Sequence, residues 1–594
     1  MVRVADYVID RLYNEGAKHI FMVTGRGILY LTDAIAKHRD IKPICVHHEQ
    51  AAGFAAMAYA QYNGQIGACL VSTGCAGTNA ITPLLCAWQD DVPCVIISGQ
   101  NILKETTRYT GISLRTFGQQ EADIIGLVEP LTKYATMITD ESRVAYEMDK
   151  ALFYANSGRK GPVWIDIPLD IQNMRVEPSE LARFVPDCIL KPTPDLSEIE
   201  FVRDAFRSAE RPVLLIGSGV RSSGAIKELK AFLADYKFPI VYSSSAVDTI
   251  PSDYPLAIGA VGTLAGNRAA NFAIQNSDLI LAIGSRLSPM TTGPVYEKFA
   301  RKSKLIVVDI DRVEHTKNTV RVDRVIVSDA LEFLKVLHLS GIQAASAEWL
   351  AKCQHWKHIF PYCEERHQSQ GKVDLYWFAE CMSSLLDDNA NVLTDAGLEE
   401  LIIPTTIHLH EGQRCIHPAS QGAMGYALPA AMGVYCASGI QTVAVIGDGS
   451  VMMNIQELLT IGHNQLPIKI VVINNNMYSI IRRRQVELFR NRTIGTDSIN
   501  GVGTPDFRKI AESFNISYIK IEDSENLVEK LKAFLILDGP VLCEILAVEE
   551  QDYIRTAYAH DSKRRIVQRP LEDQEPFLDR GLFLSEMIIE SIDQ

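Results

Sequence analysis

Short apolar runs recur along this chain at 68–71, 95–97, 213–216, 279–283, 305–308, 443–446 and 468–473, and each ends at Gly, Asp, Asn or Ser before a helical pattern begins. Strands that alternate with helices in this way pair in parallel, because a parallel neighbour requires a crossover connection. Their polar carboxyl ends face a ligand crevice. The 594 residues exceed what one hydrophobic core holds. Breaks fall near 176–195, where Pro178, Pro186, Pro192 and Pro194 cluster, and across the polar, weakly patterned stretch 338–372. The expectation is an α/β protein of three doubly wound parallel-sheet domains over 1–175, 196–337 and 372–550, with a C-terminal tail over 551–594. The tail carries the basic run Lys563-Arg564-Arg565 and then Pro570 and Pro576. Such a run reads first as a solvated face and second as a lid over a site.

Composition narrows the function classes. A net charge of −14 argues against a general nucleic-acid binder. No window approaches 18 uninterrupted apolar residues, so no transmembrane helix is expected. The first residues enter an amphipathic helix without a signal-peptide core. The twelve cysteines form no CxxC pair, and Cys69, Cys86, Cys94 and Cys543 sit in apolar runs, which points to reduced thiols in the cytoplasm.

Chemistry is concentrated at Gly447-Asp448-Gly449 and Asn474-Asn475-Asn476, whose middle asparagine lies 27 positions after Asp448. An aspartate ending one strand and an amide ending the next can grip a divalent metal that in turn holds a diphosphate. The glycines let backbone N–H groups approach phosphate oxygens. A bare Gly-Asp-Gly turn is the competing reading. Three further features favour the first. Glu49 opens a small-residue helix after an apolar strand, in Val46-His47-His48-Glu49-Gln50. Met424 stands among small residues in Ser420-Gln421-Gly422-Ala423-Met424-Gly425. Ordered matches to one family also extend along almost the whole chain.

The pattern resembles the GDG…NN motif of thiamin diphosphate (ThDP) enzymes and, more specifically, acetohydroxyacid synthase (acetolactate synthase) and its relatives. His48-Glu49-Gln50 with Phe54-Ala55-Ala56 is similar to HEQ…FAA, and 73–79 to the SGPGATN loop. Residues 92–100 are similar to VPLVAITGQ, 161–168 to GPVLVDLP, and 454–458 to NIQEL. The resemblance implies Mg2+ held by Asp448, Asn475 and the carbonyl of Met477. It places the diphosphate against Gly447, Gly449 and Ser450 and against Ala396 and Gly397, and puts Gly422 and Met424 beside the cofactor, with Met424 as the wedge that bends it. Glu49 would hydrogen-bond the aminopyrimidine ring and promote the tautomer that takes the thiazolium proton. Gln120 would stand near the reacting carbon. The implied active unit is a homodimer or homotetramer with each cofactor between the pyrimidine-binding domain of one subunit and the diphosphate-binding domain of another. The central domain would bind FAD, on landmarks at 217–220, 262–271, 284–286 and 309–311.

Departures from the family pattern bear on the substrate. The GQH segment becomes Gly397-Leu398-Glu399, so that either the phosphate contact is lost or other donors replace it. Met290 stands where a second acceptor-binding arginine is usual, Arg484 where a tryptophan is usual, Gln119 for a phenylalanine, and Cys75 for a proline. Losing a carboxylate-binding guanidinium costs selectivity for a keto acid acceptor. Arg482-Arg483-Arg484 either suits a larger anionic acceptor or forms surface ion pairs. The expected activity is a carboligase: decarboxylation of pyruvate and transfer of the two-carbon unit to a carbonyl. That carbonyl is a second 2-keto acid or the ketone of a nucleotide-linked sugar. The alternatives are a 2-keto acid decarboxylase releasing aldehyde, and a non-catalytic ThDP-binding homologue.

Overall fold

A computed structural model describes residues 1–186, 191–264, 266–560 and 566–592. The basic run Lys563-Arg564-Arg565 lies outside the described residues. Three six-stranded parallel sheets form the frame. In spatial order the first has Lys42–Cys45, His19–Met22, Gly67–Val71, Cys94–Gln100, Val163–Pro168 and Tyr134–Met137. The second has Ala257–Ala260, Ile240–Tyr242, Pro212–Ile216, Leu279–Ile283, Lys304–Asp309 and Arg324–Val327. The third has Arg414–Ile416, Asn391–Thr394, Thr442–Gly447, Lys469–Asn474, Val541–Leu546 and Ser517–Ile521. Counting strands along the chain within each sheet, the outer two share the order 2-1-3-4-6-5, and the central one has 3-2-1-4-5-6. Each order reverses direction beside its first strand, which opens a crevice at the carboxyl edge.

The first and third sheets are joined through two helices. Glu49–Asn63 is alanine-rich and buried from Ala51 to Ala60, because it lies between its own sheet and the helix Ala427–Ser438. At the crossing, Gly433 meets the carbonyl of Ala55 so closely that a Cβ on Gly433 would sit 2.0 Å from that oxygen. Side chains from both domains, including Phe54, Trp164, Tyr426 and Leu428, merge into one core. Tyr426 donates to Gln61 Oε1 at 2.7 Å, and Arg414 donates to the Tyr62 carbonyl at 2.9 Å, which ties the ends of this junction.

Two stretches read as unpatterned have definite structure. The 338–372 region carries the helix Ala347–Ile359, whose Trp349 and Trp356, two turns apart on one face, pack into the central domain with Phe272 and Phe360. The described part of the tail packs on the central domain. Glu572, Asp573 and Gln574 are buried, and the segment is strapped to the central domain through Asn271 to the Leu571 carbonyl (3.0 Å), Gln275 to Glu572 (2.7 Å) and Arg301 to Glu572 (2.7 Å). Glu586 on the helix Arg580–Glu586 accepts from Trp356 Nε1 at 2.9 Å and from Lys352 Nζ at 2.6 Å. Cys69, Cys86, Cys94 and Cys543 are free and buried, as are four more of the described cysteines, while Cys45 and Cys75 are exposed thiols. No helix among the described residues is long and apolar enough to cross a membrane.

Candidate active site

The third sheet reverses order between Asn391–Thr394 and Thr442–Gly447, and the polar side chains collect at the carboxyl ends of those two strands. Asp448 follows the second of them and is 4% exposed. Its Oδ1 accepts the Gly449 N–H at 2.7 Å and its Oδ2 the Asn476 N–H at 2.7 Å, so both oxygens are fixed. Burial pushes this carboxyl up to about 6. Asn475 directly follows the strand Lys469–Asn474; its amide Nδ2 donates to Ser479 Oγ at 2.5 Å and its Oδ1 accepts the Met477 N–H at 3.3 Å. The turn depends on Asn476 at φ +58°, a conformation asparagine tolerates better than most residues. A Cβ on Gly449 would land 2.1 Å from the Tyr478 ring, so only glycine lets this loop lie against that ring.

Ser450 joins the neighbouring loops. Its hydroxyl donates to Asp395 Oδ1 at 2.9 Å and accepts the Gly425 N–H at 2.9 Å. Asp395 also accepts the N–H groups of Ala396 (2.6 Å) and Ala427 (3.0 Å), and burial pushes its carboxyl up to about 7. Met424 is half-buried between Gly422 (φ +57°) and Gly425 (φ +78°), which bend its segment toward this edge. Ala396, Gly397, Gly422, Met424, Gly447, Asp448, Gly449, Ser450, Asn475 and Met477 therefore belong to one connected set of loops. Asp395 was not singled out from the sequence, although its place at the end of an apolar strand was a usable signal.

Glu399 packs against the glycine loop: its Oε1 accepts the Gly447 N–H at 2.9 Å, and burial raises its carboxyl well above the usual carboxylate range. In its acid form the side chain keeps one O–H donor.

Glu49 and Gln120 lie at the carboxyl edge of the first sheet. Glu49 is the first residue of its helix, where the dipole favours an anion, and its Oε2 accepts Asn79 Nδ2 at 2.9 Å. Asn79 closes the 73–79 turn, which Thr73 anchors by donating to Gln100 Oε1 at 2.6 Å. Gln120 has φ +61°, and its carbonyl presses on Gly74, where a Cβ would sit 2.0 Å away. Among the described residues no hydrogen bond joins Glu49 or Gln120 to the Asp448 group. Their neighbours do meet: Asn454 Nδ2 donates to Gln50 Oε1 at 3.0 Å, and Glu457 Oε1 accepts the His47 N–H at 3.0 Å. Glu457 is fully buried, with its carboxyl raised by that burial. Within the NIQEL-like segment only its apolar partners were conspicuous, so its role was missed.

The arginine triplet resolves to ion pairs. Arg482 binds Asp497 (3.1 Å) and Glu550 (3.0 Å), Arg483 binds Glu487 (3.2 Å) and Asp552 (3.3 Å), and Arg484 binds Glu487 (3.3 Å). Arg555 of the tail adds a bond to Glu487 at 2.7 Å. None of the three presents an uncommitted guanidinium. Met290 is 42% exposed, and Arg286 reaches Ser420 Oγ at 3.2 Å.

A cavity of about 1200 Å³ lies at the carboxyl edge of the central sheet, lined by Gly217, Ser218, Arg221, Arg286, Asp309 and Arg414 among others. Its partly buried cations are balanced: Asp248 meets Arg221 (2.9 Å) and Arg414 (2.5 Å), and Arg159 meets Asp91 (2.7 Å) and Glu314 (2.7 Å). The glycines at its floor pack on each other, since a Cβ on Gly217 would fall 2.1 Å from the Gly284 carbonyl oxygen.

Three family models match the chain in order. They are the N-terminal TPP (thiamine pyrophosphate) binding domain of thiamine pyrophosphate enzymes over residues 2–127, their central domain over 199–337, and their C-terminal TPP binding domain over 395–545. The acetolactate synthase large subunit of Parasynechococcus marenigrum (strain WH8102) is 32% identical over 550 residues, 91% of this chain and 86% of that one. The corresponding subunit of Haemophilus influenzae is 31% identical over 560 residues, covering 93% and 95%. The acetolactate synthase isozyme 2 large subunit of Escherichia coli (strain K12) is 31% identical over 548 residues, covering 91% and 95%. The residues at the third sheet's edge suit the diphosphate of such a cofactor: a buried aspartate with no cationic partner among the described residues, next to a glycine loop and backbone donors.

Proposed function

Since the chain belongs to the family of ThDP-dependent, acetohydroxyacid synthase-like enzymes, we propose that it decarboxylates pyruvate and joins the two-carbon unit to a carbonyl acceptor other than a short 2-keto acid. The observation that carries the reading is the buried, doubly hydrogen-bonded Asp448 beside Asn475, with Glu49 heading a helix at the matching edge of a sheet of the same strand order.

When bound, ThDP supplies the carbon nucleophile and electron sink that decarboxylation of a 2-keto acid needs. The chain's residues would do the rest. Asp448, Asn475 and the Met477 carbonyl would hold Mg2+, which keeps its remaining positions for diphosphate oxygens and water. Gly449, Ser450, Ala396 and Gly397 would offer close backbone approach to the diphosphate, and Glu399 in its acid form a further donor. Met424 would pack on the cofactor, with Gly422 setting its turn. Glu49, with one oxygen fixed by Asn79, would hold the proton exchanged with the aminopyrimidine. Gln120 would line the acceptor pocket. A homodimer, or a tetramer built from it, would bring Glu49 of one subunit to the Asp448 group of another. The cavity at the central sheet is large enough for FAD, and visible flavin absorbance in the purified protein would test that assignment.

The acceptor reading takes its finer form as the ketone of a nucleotide-linked sugar. Met290 in place of a second arginine and the polar Gln119 support it. The test incubates the protein with ThDP, magnesium and pyruvate, with and without a nucleotide-linked ketosugar, and identifies products by NMR. A branched-sugar product is expected, with little acetolactate from pyruvate alone. Abundant acetolactate would overturn the acceptor assignment, and free aldehyde as the sole product would overturn the carboligase.

A further inference from the structure

With Arg482, Arg483 and Arg484 all committed to carboxylates, a guanidinium without a carboxylate partner is better suited to meet a charge on the acceptor. Arg26 is exposed at the carboxyl edge of the first sheet, just after the strand His19–Met22. Among the described residues it pairs with no carboxylate. Its one polar side-chain partner is Gln119, whose Oε1 accepts from Arg26 Nη1. A neutral amide orients a guanidinium without cancelling its charge.

The seat of Arg26 is rigid. Gly25 and Gly27 on either side press on Ser72, where Cβ atoms would meet the hydroxyl at 2.5 and 3.2 Å. The Gly27 N–H donates to Ser72 Oγ at 3.1 Å, and its carbonyl accepts Gln172 Nε2 at 2.6 Å. Ser72 leads directly into the 73–79 turn whose Asn79 holds Glu49. On the other side, Asn101 Nδ2 donates to the Gln119 carbonyl at 2.9 Å, and the next residue is Gln120. Arg26 is thus fixed on the same rim as Glu49 and Gln120, with its charge available.

We propose that Arg26, oriented by Gln119, binds an anionic group of the acceptor, a carboxylate or a phosphate, and so selects charged acceptors over neutral ones. This rests on the carboligase reading above. The donor is the less suitable ligand for it. A guanidinium bound to pyruvate's carboxylate would stabilise the ground state that decarboxylation destroys, which raises the barrier.

The experiment uses the full chain with ThDP, magnesium and pyruvate and offers paired acceptors in competition. Benzaldehyde is the neutral one; 4-carboxybenzaldehyde carries a carboxylate and dihydroxyacetone phosphate a phosphate. The readout is the ratio of anionic to neutral adduct, in which any defect of folding or cofactor loading cancels. Arg26→Gln should lower the ratio about tenfold or more in at least one arm, as expected for loss of a charge-assisted hydrogen bond, and the arm that falls identifies the anion. Arg26→Lys should recover part of it. Arg115→Gln, which removes a second exposed arginine of the same loop region, should leave the ratio in place. An unchanged ratio for Arg26→Gln in both arms overturns the proposal, as does an equal fall in Arg115→Gln. Aldehyde release without any adduct, from wild type as well, removes the carboligase reading and Arg26's role with it.

Discussion

Gly433→Ala sets two physical rules against each other at the junction of the first and third domains. Helix propensity alone favours alanine over glycine inside a helix by about 1 kcal/mol. Packing opposes it, because the new Cβ would lie 2.0 Å from the Ala55 carbonyl oxygen, 2.8 Å from its carbon and 3.0 Å from its Cα. The obstacle is backbone, which cannot swing aside as a long side chain can. To regain an ordinary contact of 3.4 Å the two helices must separate by about 1.4 Å, in a core already closed by Phe54 and Tyr426. Overpacking costs roughly 1–3 kcal/mol, and a backbone clash belongs at the upper end. After the propensity gain, a net loss of about 2 kcal/mol is expected. Urea titration followed by tryptophan fluorescence should show it, since Trp164 belongs to the same core cluster. With slopes of about 1–3 kcal/mol/M, the midpoint should fall by roughly 0.7–2 M. A midpoint equal to or above wild type would refute the argument, since propensity would then have decided the outcome.

Asp448→Ala should weaken magnesium-dependent ThDP binding by about two orders of magnitude or more, measured by equilibrium dialysis, because it removes a cation ligand. Glu49→Gln should retain cofactor binding yet lower turnover at least about a hundredfold; hydrogen–deuterium exchange at the thiazolium carbon, followed by NMR, should slow in parallel. Burial alone would raise Asp248, but Arg221 and Arg414 outweigh it and hold the carboxyl down to about 2 against a normal 3.8. A carboxyl with a lowered folded value stabilises the fold fully above its unfolded value. That contribution is therefore present above roughly pH 4 and lost as pH falls toward 2. Asp248→Asn should cost about 1.5–3 kcal/mol at neutral pH by leaving the partly buried Arg221 and Arg414 without their carboxylate, and should flatten the acid limb of the stability curve across that window. Urea midpoints as a function of pH check both parts.

Much of the frame was legible because buried parallel strands must be continuously apolar. The runs at 213–216, 279–283, 305–308 and 443–446 mark strands that differ from them by a residue at most at each end. The edge and near-edge strands His19–Met22, Arg324–Val327, Arg414–Ile416 and Ser517–Ile521 were not, since they are short and mix charged with apolar residues. Helix Ala347–Ile359 was hidden for another reason: its buried face is made by Trp349, Cys353 and Trp356, while lysine and histidine cover the rest. At the site, Asp448, Asn475 and Glu49 were singled out through ordered motifs that resemble one family, since a Gly-Asp-Gly turn or a helix-first glutamate alone has other uses. Ion pairing of Arg482, Arg483 and Arg484 was one of two open readings, and its partners were not legible because Asp497, Glu550 and Asp552 come from separate loops. The Arg26–Gln119 pair spans 93 residues and leaves no local pattern at all.

The shared core of the outer domains also has a consequence for synthesis. Between Asn63, where the first junction helix ends, and Ala427, where its partner begins, lie 363 residues. At about 5–20 residues per second, the ribosome needs roughly 20–70 s to deliver the second helix after the first emerges. For that interval the small-residue face from Ala51 to Ala60 has no cover from its own chain. The close approach that fixes the finished enzyme therefore leaves an apolar surface on the nascent one, and chaperone demand should be greatest in the middle of translation.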